Sequence, residues 1–337
     1  MTDQIIFLCV LAATFLVTVL ISRKLIPVLA SHKMGQKILD IGPRWHKSKE
    51  GTPTMGGLAF IIASVICGGI ASAIVWVTKG SESALPLILT LAMATLYGCI
   101  GIIDDMAKLR KKQNEGLTAA QKFLLQVVVA ILYLVGMTFL CGLETDIYIP
   151  YFNIELPLGW GYYVVALLLI VGVDNSVNLT DGIDGLASSV TFFVAVFYSL
   201  AAFLAFEVFN VPLAIVGALM AGSAIGFLVY NFYPARVFMG DTGSLFFGGL
   251  VVGGAFIMNN PLIVVVCGIM FIVETASVML QVGYFKLTHG KRLFKMSPIH
   301  HHFEKCGWSE IKVVFVFSLI TLVFCVLAWF CLEIPKV

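Results

Sequence analysis

Ten apolar runs follow one another along the chain with short polar connections between them. They lie at Ile5–Ile21, Met55–Val77, Leu85–Ile103, Lys122–Leu140, Tyr162–Val173, Leu186–Phe206, Pro212–Tyr230, Ser244–Met258, Leu262–Tyr284 and Val313–Cys331. A helix of about 20 apolar residues crosses the hydrocarbon of a bilayer, and most of the runs approach that length. With 60% hydrophobic residues, 12% charged residues and a mean hydropathy of +1.00, the 337-residue chain has too little polar surface for a water-soluble fold. The expected architecture is all-α and integral to the membrane: about ten transmembrane helices in one polytopic domain, residues 1–337. Strands are not expected, because lipid tolerates only helices and closed barrels, and these runs are too long and uniform for barrel strands. The first run lacks a basic N-terminal flank and an obvious small-residue cleavage site, so it reads as a retained helix rather than a signal peptide.

Charge sets the expected orientation. The stretches Arg23–Lys49, Lys108–Lys122, Arg236 and Lys286–Lys312 hold 19 of the 21 Lys and Arg residues. The alternate connections keep only Lys79 and Lys336, against Asp3, Glu82, Glu144, Asp146, Glu155, Glu207 and Glu333. Basic loops stay in the cytoplasm, so both termini are expected outside and every basic loop inside. A basic inner face suits anionic lipid head groups and phosphorylated substrates. The eight cysteines form no CxxC pair, which leaves zinc-ribbon and redox chemistry unsupported. There is no Walker A loop or dinucleotide glycine fingerprint, so ATP-driven pumping and nicotinamide chemistry are equally unsupported.

The same topology gathers six acids, Asp104, Asp105, Asp174, Asp181, Asp184 and Asp241, at the cytosolic ends of the spans. Carboxylates at a bilayer boundary are costly unless a metal, a cation or a substrate compensates them. In Gly101-Ile-Ile-Asp104-Asp105-Met-Ala-Lys108, the two adjacent acids repel, and Lys108 lies one helical turn beyond Asp104, within reach of either. Such a set can hold Mg²⁺ or take a proton from a phosphate; a solvated helix end is the plain alternative. In Asp174-Asn175-Ser-Val-Asn178-Leu-Thr-Asp181-Gly-Ile-Asp184-Gly185, apolar helix is expected to give way to a short polar segment in which Gly182 and Gly185 permit a tight turn. Three aspartates and two asparagines exceed what a turn requires. In Asn231-Phe-Tyr-Pro234-Ala-Arg236-Val-Phe238-Met-Gly240-Asp241-Thr-Gly-Ser244, Asp241 opens a helix, either as a simple N-cap or as part of a site for a metal–phosphate complex. Phe238 offers a surface on which a base can stack.

The last basic loop ends Pro298-Ile-His300-His301-His302-Phe303-Glu304. Three successive histidines cannot all ligate one metal from a regular helix, so a zinc site is not expected. Beside Lys291, Arg292 and Lys295, the imidazoles suit a diphosphate or an acid–base role better. Two features sit within spans: Glu274, an intramembrane acid expected to be functional or hydrogen-bonded to a neighbouring helix, and Gly249-Leu-Val-Val-Gly253, a small-residue face expected to pack internally.

These motifs, in this order, resemble the polyprenyl-phosphate sugar-1-phosphate transferases along the whole chain. Pro298-Ile-His-His-His-Phe-Glu304 together with Gly51-Thr-Pro-Thr-Met-Gly-Gly57 resembles the phospho-MurNAc-pentapeptide transferase branch. The resemblance implies a multi-pass enzyme of the bacterial cytoplasmic membrane, with its active site on the cytoplasmic face. It would move phospho-MurNAc-pentapeptide from UDP-MurNAc-pentapeptide onto undecaprenyl phosphate with Mg²⁺, giving lipid I and UMP. It implies membrane lipids as surroundings, often a homodimer, and no nucleic-acid partner.

It also implies roles. Asp241, with Asp105, would bind Mg²⁺, and Asp104 or Asp105 would act on the lipid phosphate. Lys108 and Lys122 would contact phosphates. Asn178, Asp181, Asp184, Asn231 and Phe238 would shape the uridine and metal region, while His300, His301 and His302 would serve the substrate phosphates, His300 at the reacting centre. Lys49 would lie on the nucleotide side. Two other readings stay open from the residues: a sister transferase that uses UDP-GlcNAc, and, more remotely, an ion-coupled secondary transporter with Asp174, Asp181 and Glu274 as its ion path.

Overall fold

The computed structural model describes residues 3–31, 49, 51–111, 116–149, 154–206 and 209–332. Most basic residues of the first loop, together with Lys112, Glu207, Glu333 and Lys336, lie outside them.

Twelve helices are described: α1 (Asp3–Ser31), α2 (Gly57–Lys79), α3 (Ser81–Lys111), α4 (Ala119–Cys141), α5 (Trp160–Thr180), α6 (Leu186–Leu204), α7 (Val211–Asn231), α8 (Gly240–Ile257), α9 (Ile263–Cys267), α10 (Ile269–Leu287), α11 (Ile299–Lys305) and α12 (Glu310–Trp329). Ten of them are long and apolar enough to cross a membrane. The expected number of spans therefore holds among the described residues.

Three local expectations do not hold. Between α4 and α5 the chain forms an antiparallel hairpin, β1 (Asp146–Ile149) and β2 (Ile154–Pro157), with Asp146 opposite Pro157 and Ile149 opposite Ile154. The rule against strands applies to lipid-exposed backbone, and this pair sits in a connection, where Ile147, Tyr148 and Ile154 favour extended backbone. Second, the apolar run Leu262–Tyr284 is not one helix. It breaks at Gly268 into α9 and α10, because glycine costs a helix interior about 1 kcal/mol relative to alanine. Third, α5 does not stop at Asp174 but runs on to Thr180. Its Asp and Asn side chains bond across to α4 and back to the α5 backbone, so the helix has no reason to break there.

The interior is built on α8, which packs along α3 and α5, while α7 packs between α1 and α6. Lipid is as apolar as leucine, so burial alone does not drive helices together in a membrane; close backbone contact does. Gly249 and Gly253 of α8 meet Ala94 and Thr90 of α3, and Gly101 of α3 meets the Asp241 backbone of α8. The small-residue face thus serves internal packing, as expected, and brings the C-terminal end of α3 against the first turn of α8.

Candidate active site

Two helix ends bring the reactive groups together. Asp104 and Asp105 lie near the end of α3, and Asp241 lies in the first turn of α8. One carboxylate oxygen from each of the three lies within 4.8 Å of the others. All are oxygen donors, which suits a hard divalent cation. Asp241 is not an N-cap: α8 begins at Gly240, and no side chain caps its start. Gly240 carries a φ of 69°, and a Cβ there would press on Asp105 and Thr54.

Each acid is held by its own partners. Asp105 Oδ2 accepts the backbone N–H of Thr242 at 2.9 Å and its hydroxyl at 2.8 Å. Asp104 Oδ1 accepts the N–H of Leu117 at 2.7 Å. Asp241 Oδ1 accepts the Asn178 amide at 3.1 Å, and that same amide donates to Ser244 Oγ at 2.7 Å. Two ammonium groups then offset part of the cluster's charge. Lys108 Nζ lies 2.6 Å from Asp104, 3.0 Å from Asp241 and 3.6 Å from Asp105. Lys122 Nζ lies 2.7 Å from Asp241 and 3.4 Å from Asn178 Oδ1. Lys122 is delivered by a capping box: Thr118 accepts from Gln121 N–H while the Gln121 side chain returns to Thr118 N–H, starting α4 just ahead of the lysine.

A second group forms around the turn after α5. Asp184 Oδ1 accepts Lys49 Nζ at 2.7 Å, and its Oδ2 accepts the N–H of Ala235 at 2.8 Å. Lys49 also bridges to Glu310 at the start of α12, at 2.6 Å. Asn231 Oδ1 accepts Gly185 N–H, and its Nδ2 donates to the Val237 carbonyl, so this side chain ties two loops together. Phe238 is half-buried, and its backbone is clamped by Pro53 and Gly56 of the Gly51–Gly57 stretch, each at 2.8 Å. Asp181 links the two groups through a hydrogen bond from Gly240 N–H. Its carboxyl is pushed up to about 8, by burial first and then by the charges of Asp241, Asp105 and Asp184.

The histidines part company. They form the short helix α11 rather than a loop. His300 is fully buried, its Nδ1 3.1 Å from the equally buried Glu274 of α10, and its ring lies against Gly182. His301 Nδ1 pairs with Glu304 at 2.7 Å. His302 Nδ1 accepts the N–H of Lys295, and its ring packs on Phe294.

Of the expected residues, Asp104, Asp105, Lys108, Lys122, Asn178 and Asp241 thus form one cluster, and Lys49, Asp184 and Asn231 a second. Sequence reasoning gave no role to Gln126, which bonds Asp174 at 2.7 Å, or to Glu310. A glutamine one turn past Lys122 in an otherwise apolar span was the available signal for the first; nothing local marked the second.

Comparison with known proteins agrees with the geometry. Residues 86–259 match the model of Glycosyl transferase family 4, and residues 49–61 match Phospho-N-acetylmuramoyl-pentapeptide-transferase signature 1. The chain is 45% identical over 316 residues to a phospho-N-acetylmuramoyl-pentapeptide-transferase of Clostridium perfringens, covering 94% of each chain. It is 45% identical over 320 residues to that of Staphylococcus aureus, covering 94% of this chain and 96% of the relative. It is 43% identical over 317 residues to that of Bacillus velezensis, covering 94% of each. The signature falls on the segment that clamps Phe238, and the wider match contains all three clustered acids. The chain belongs to the phospho-N-acetylmuramoyl-pentapeptide-transferase family, phosphoglycosyl transferases of peptidoglycan synthesis.

Proposed function

We propose that the cluster of Asp104, Asp105, Asp241, Lys108 and Lys122 is the transfer site, that it lies at the cytoplasmic face, and that it holds Mg²⁺ between the three acids. The substrates that fit are UDP-MurNAc-pentapeptide and undecaprenyl phosphate, and the products lipid I and UMP. The observation that carries this reading is the convergence of three carboxylates within 4.8 Å, flanked by two lysines. The cytoplasmic placement rests on the basic residues of the flanking loops. A Mg²⁺ ion held by these carboxylates would supply charge neutralisation at the phosphate oxygens.

The chain's own residues do the rest. One diphosphate linkage is broken and one is made, so no ATP is consumed. An oxygen of the lipid phosphate attacks the β-phosphorus of the nucleotide, a new P–O bond forms, and the bond to the bridging oxygen breaks, releasing UMP. Any proton on the lipid phosphate passes to Asp104 or Asp105. Direct attack is favoured over an aspartyl-phosphate, because the lipid phosphate is already a competent anionic nucleophile. Lys108 and Lys122 sit where negative charge gathers on the transferring group, and positioning plus charge account for most phosphoryl-transfer catalysis. Phe238, Asn178, Asp181 and Asp184 frame the uridine side, with Lys49 holding Asp184 in place.

The test is UMP release from purified protein, with Mg²⁺ or with EDTA, with and without undecaprenyl phosphate, and with UDP-GlcNAc in place of the MurNAc-pentapeptide substrate. The reading expects release only with Mg²⁺, the lipid and the pentapeptide substrate together. Release that persists in EDTA removes the metal, and release from UDP-GlcNAc alone removes the substrate assignment.

A further inference from the structure

Beneath the reacting cluster lies a second polar layer that the chemistry above does not use. Lys122 and Gln126 are four residues apart on α4, and Asn178 and Asp174 are four apart on α5, so each pair shares one helix face. The upper residues reach Asp241: Lys122 at 2.7 Å and Asn178 at 3.1 Å. The lower residues meet each other. Gln126 Nε2 donates to Asp174 Oδ2 at 2.7 Å, and Asn175 Nδ2 donates to Gln126 Oε1 at 2.9 Å. The Gln126 backbone carbonyl is itself held by the Tyr97 hydroxyl of α3 at 3.1 Å.

Gln126 and Asp174 are 1% and 0% exposed. The third helix takes part in both layers. On α8, Ser244 accepts the Asn178 amide, and Gly248, one turn further on, lies against Asp174 Oδ1, where a Cβ would collide. The lower layer thus lies directly beneath the upper one, about 6 Å deeper along the same three helices.

We propose that Gln126 and Asp174 are positioning residues for the transfer reaction: the buried Gln126–Asp174 pair fixes the register of α4 against α5 and α8, and so aims Lys122 at Asp241. Polar groups buried between spans commonly act as general adhesive. This pair differs in its placement, one turn below the two residues that neutralise and orient Asp241, on the same faces of the same helices. A slip of α4 by a fraction of a turn would carry Lys122 away from Asp241 without unfolding the bundle. Asp174 needs only an acceptor oxygen for this role, and an asparagine retains one.

This inference rests on the reading of the cluster as the transfer site, and a double-mutant cycle separates the two. UMP release is measured for the full-length protein in detergent, as kcat and KM per folded molecule, for Q126M, D174N, K122M and Q126M/K122M. The expected result is that Q126M loses at least tenfold in kcat with KM for the nucleotide substrate within twofold. D174N stays within threefold of the unsubstituted protein, and the double variant is no more than threefold below K122M alone, because Gln126 acts through Lys122. Full activity in K122M overturns the site reading itself. A crippled K122M beside an undiminished Q126M overturns only the positioning role, as do losses that multiply in the double variant. If Q126M does not fold, D174N decides: a tenfold loss there contradicts a role that needs only an acceptor.

Discussion

Lys122 Nζ lies 2.7 Å from Asp241 Oδ2, although 119 positions of sequence separate them. The contact joins the first turn of α4 to the first turn of α8, at the point where the α3 acids also arrive. A cation at this place offsets the repulsion among three carboxylates.

Replacing Lys122 by Met removes that cation while keeping the bulk of the stem. One preorganised charge at a transferring group is worth roughly 3–4 kcal/mol, so kcat should fall about 10²–10³-fold. Lys122→Arg should recover part of the loss, and UMP release under saturating substrate measures both.

Thr242 holds Asp105 through two donors, one of them the hydroxyl. Thr242→Val removes only the hydroxyl and leaves the backbone donor. A hydrogen bond to a charged group contributes about 1.5–3 kcal/mol, so kcat/KM should drop roughly ten- to hundredfold with little change in thermal unfolding.

Asp181 gives a pH signature. Its carboxyl is pushed up to about 8 in the fold, from about 3.9 in an unfolded chain. The folded state therefore binds a proton that the unfolded state releases. The stability Asp181 contributes is complete below about pH 4 and declines as pH rises toward 8. In metal-free buffer, the unfolding temperature should fall between pH 5 and pH 8, and Asp181→Asn should flatten that slope. An unchanged slope in the variant would assign the effect to other groups.

Glu274 and His300 are both fully buried and face each other at 3.1 Å. Removing one partner leaves the other a buried polar group with no counterpart, at a cost of about 1–3 kcal/mol. Glu274→Leu should therefore lower the unfolding temperature, and Glu274→Leu combined with His300→Leu should restore much of it. Thermal unfolding in detergent reads both.

Much of this arrangement was legible in the residues. Long apolar runs announce spans because lipid forbids unsatisfied backbone, and the spacing of Asp104 and Lys108 announces an ion pair on one helix face. What was not legible depends on which helices become neighbours. The polar stretch from Asp174 to Asn178 looked like the end of a span, since nothing local shows that Gln126 of α4 stands opposite to satisfy it. The break at Gly268 is hidden inside a run that is apolar on both sides. His300 looked like a phosphate ligand beside its neighbours, but the fold turns it inward to Glu274, a partner 26 positions away on another helix. Glu310 reads as an ordinary acid in a first helical turn until Lys49 arrives beside it.

The central claim is that the three clustered acids form the transfer site, and Asp241→Ala tests it most directly. Initial rates of UMP release are compared for this variant and the unsubstituted protein across a Mg²⁺ titration, with unfolding temperature as the control for intact structure. A folded variant that loses at least about 10²-fold in rate, in the range expected for removing a preorganised charged group from a reacting centre, and that no Mg²⁺ concentration rescues, is the predicted result. A folded variant that keeps full activity would contradict the account.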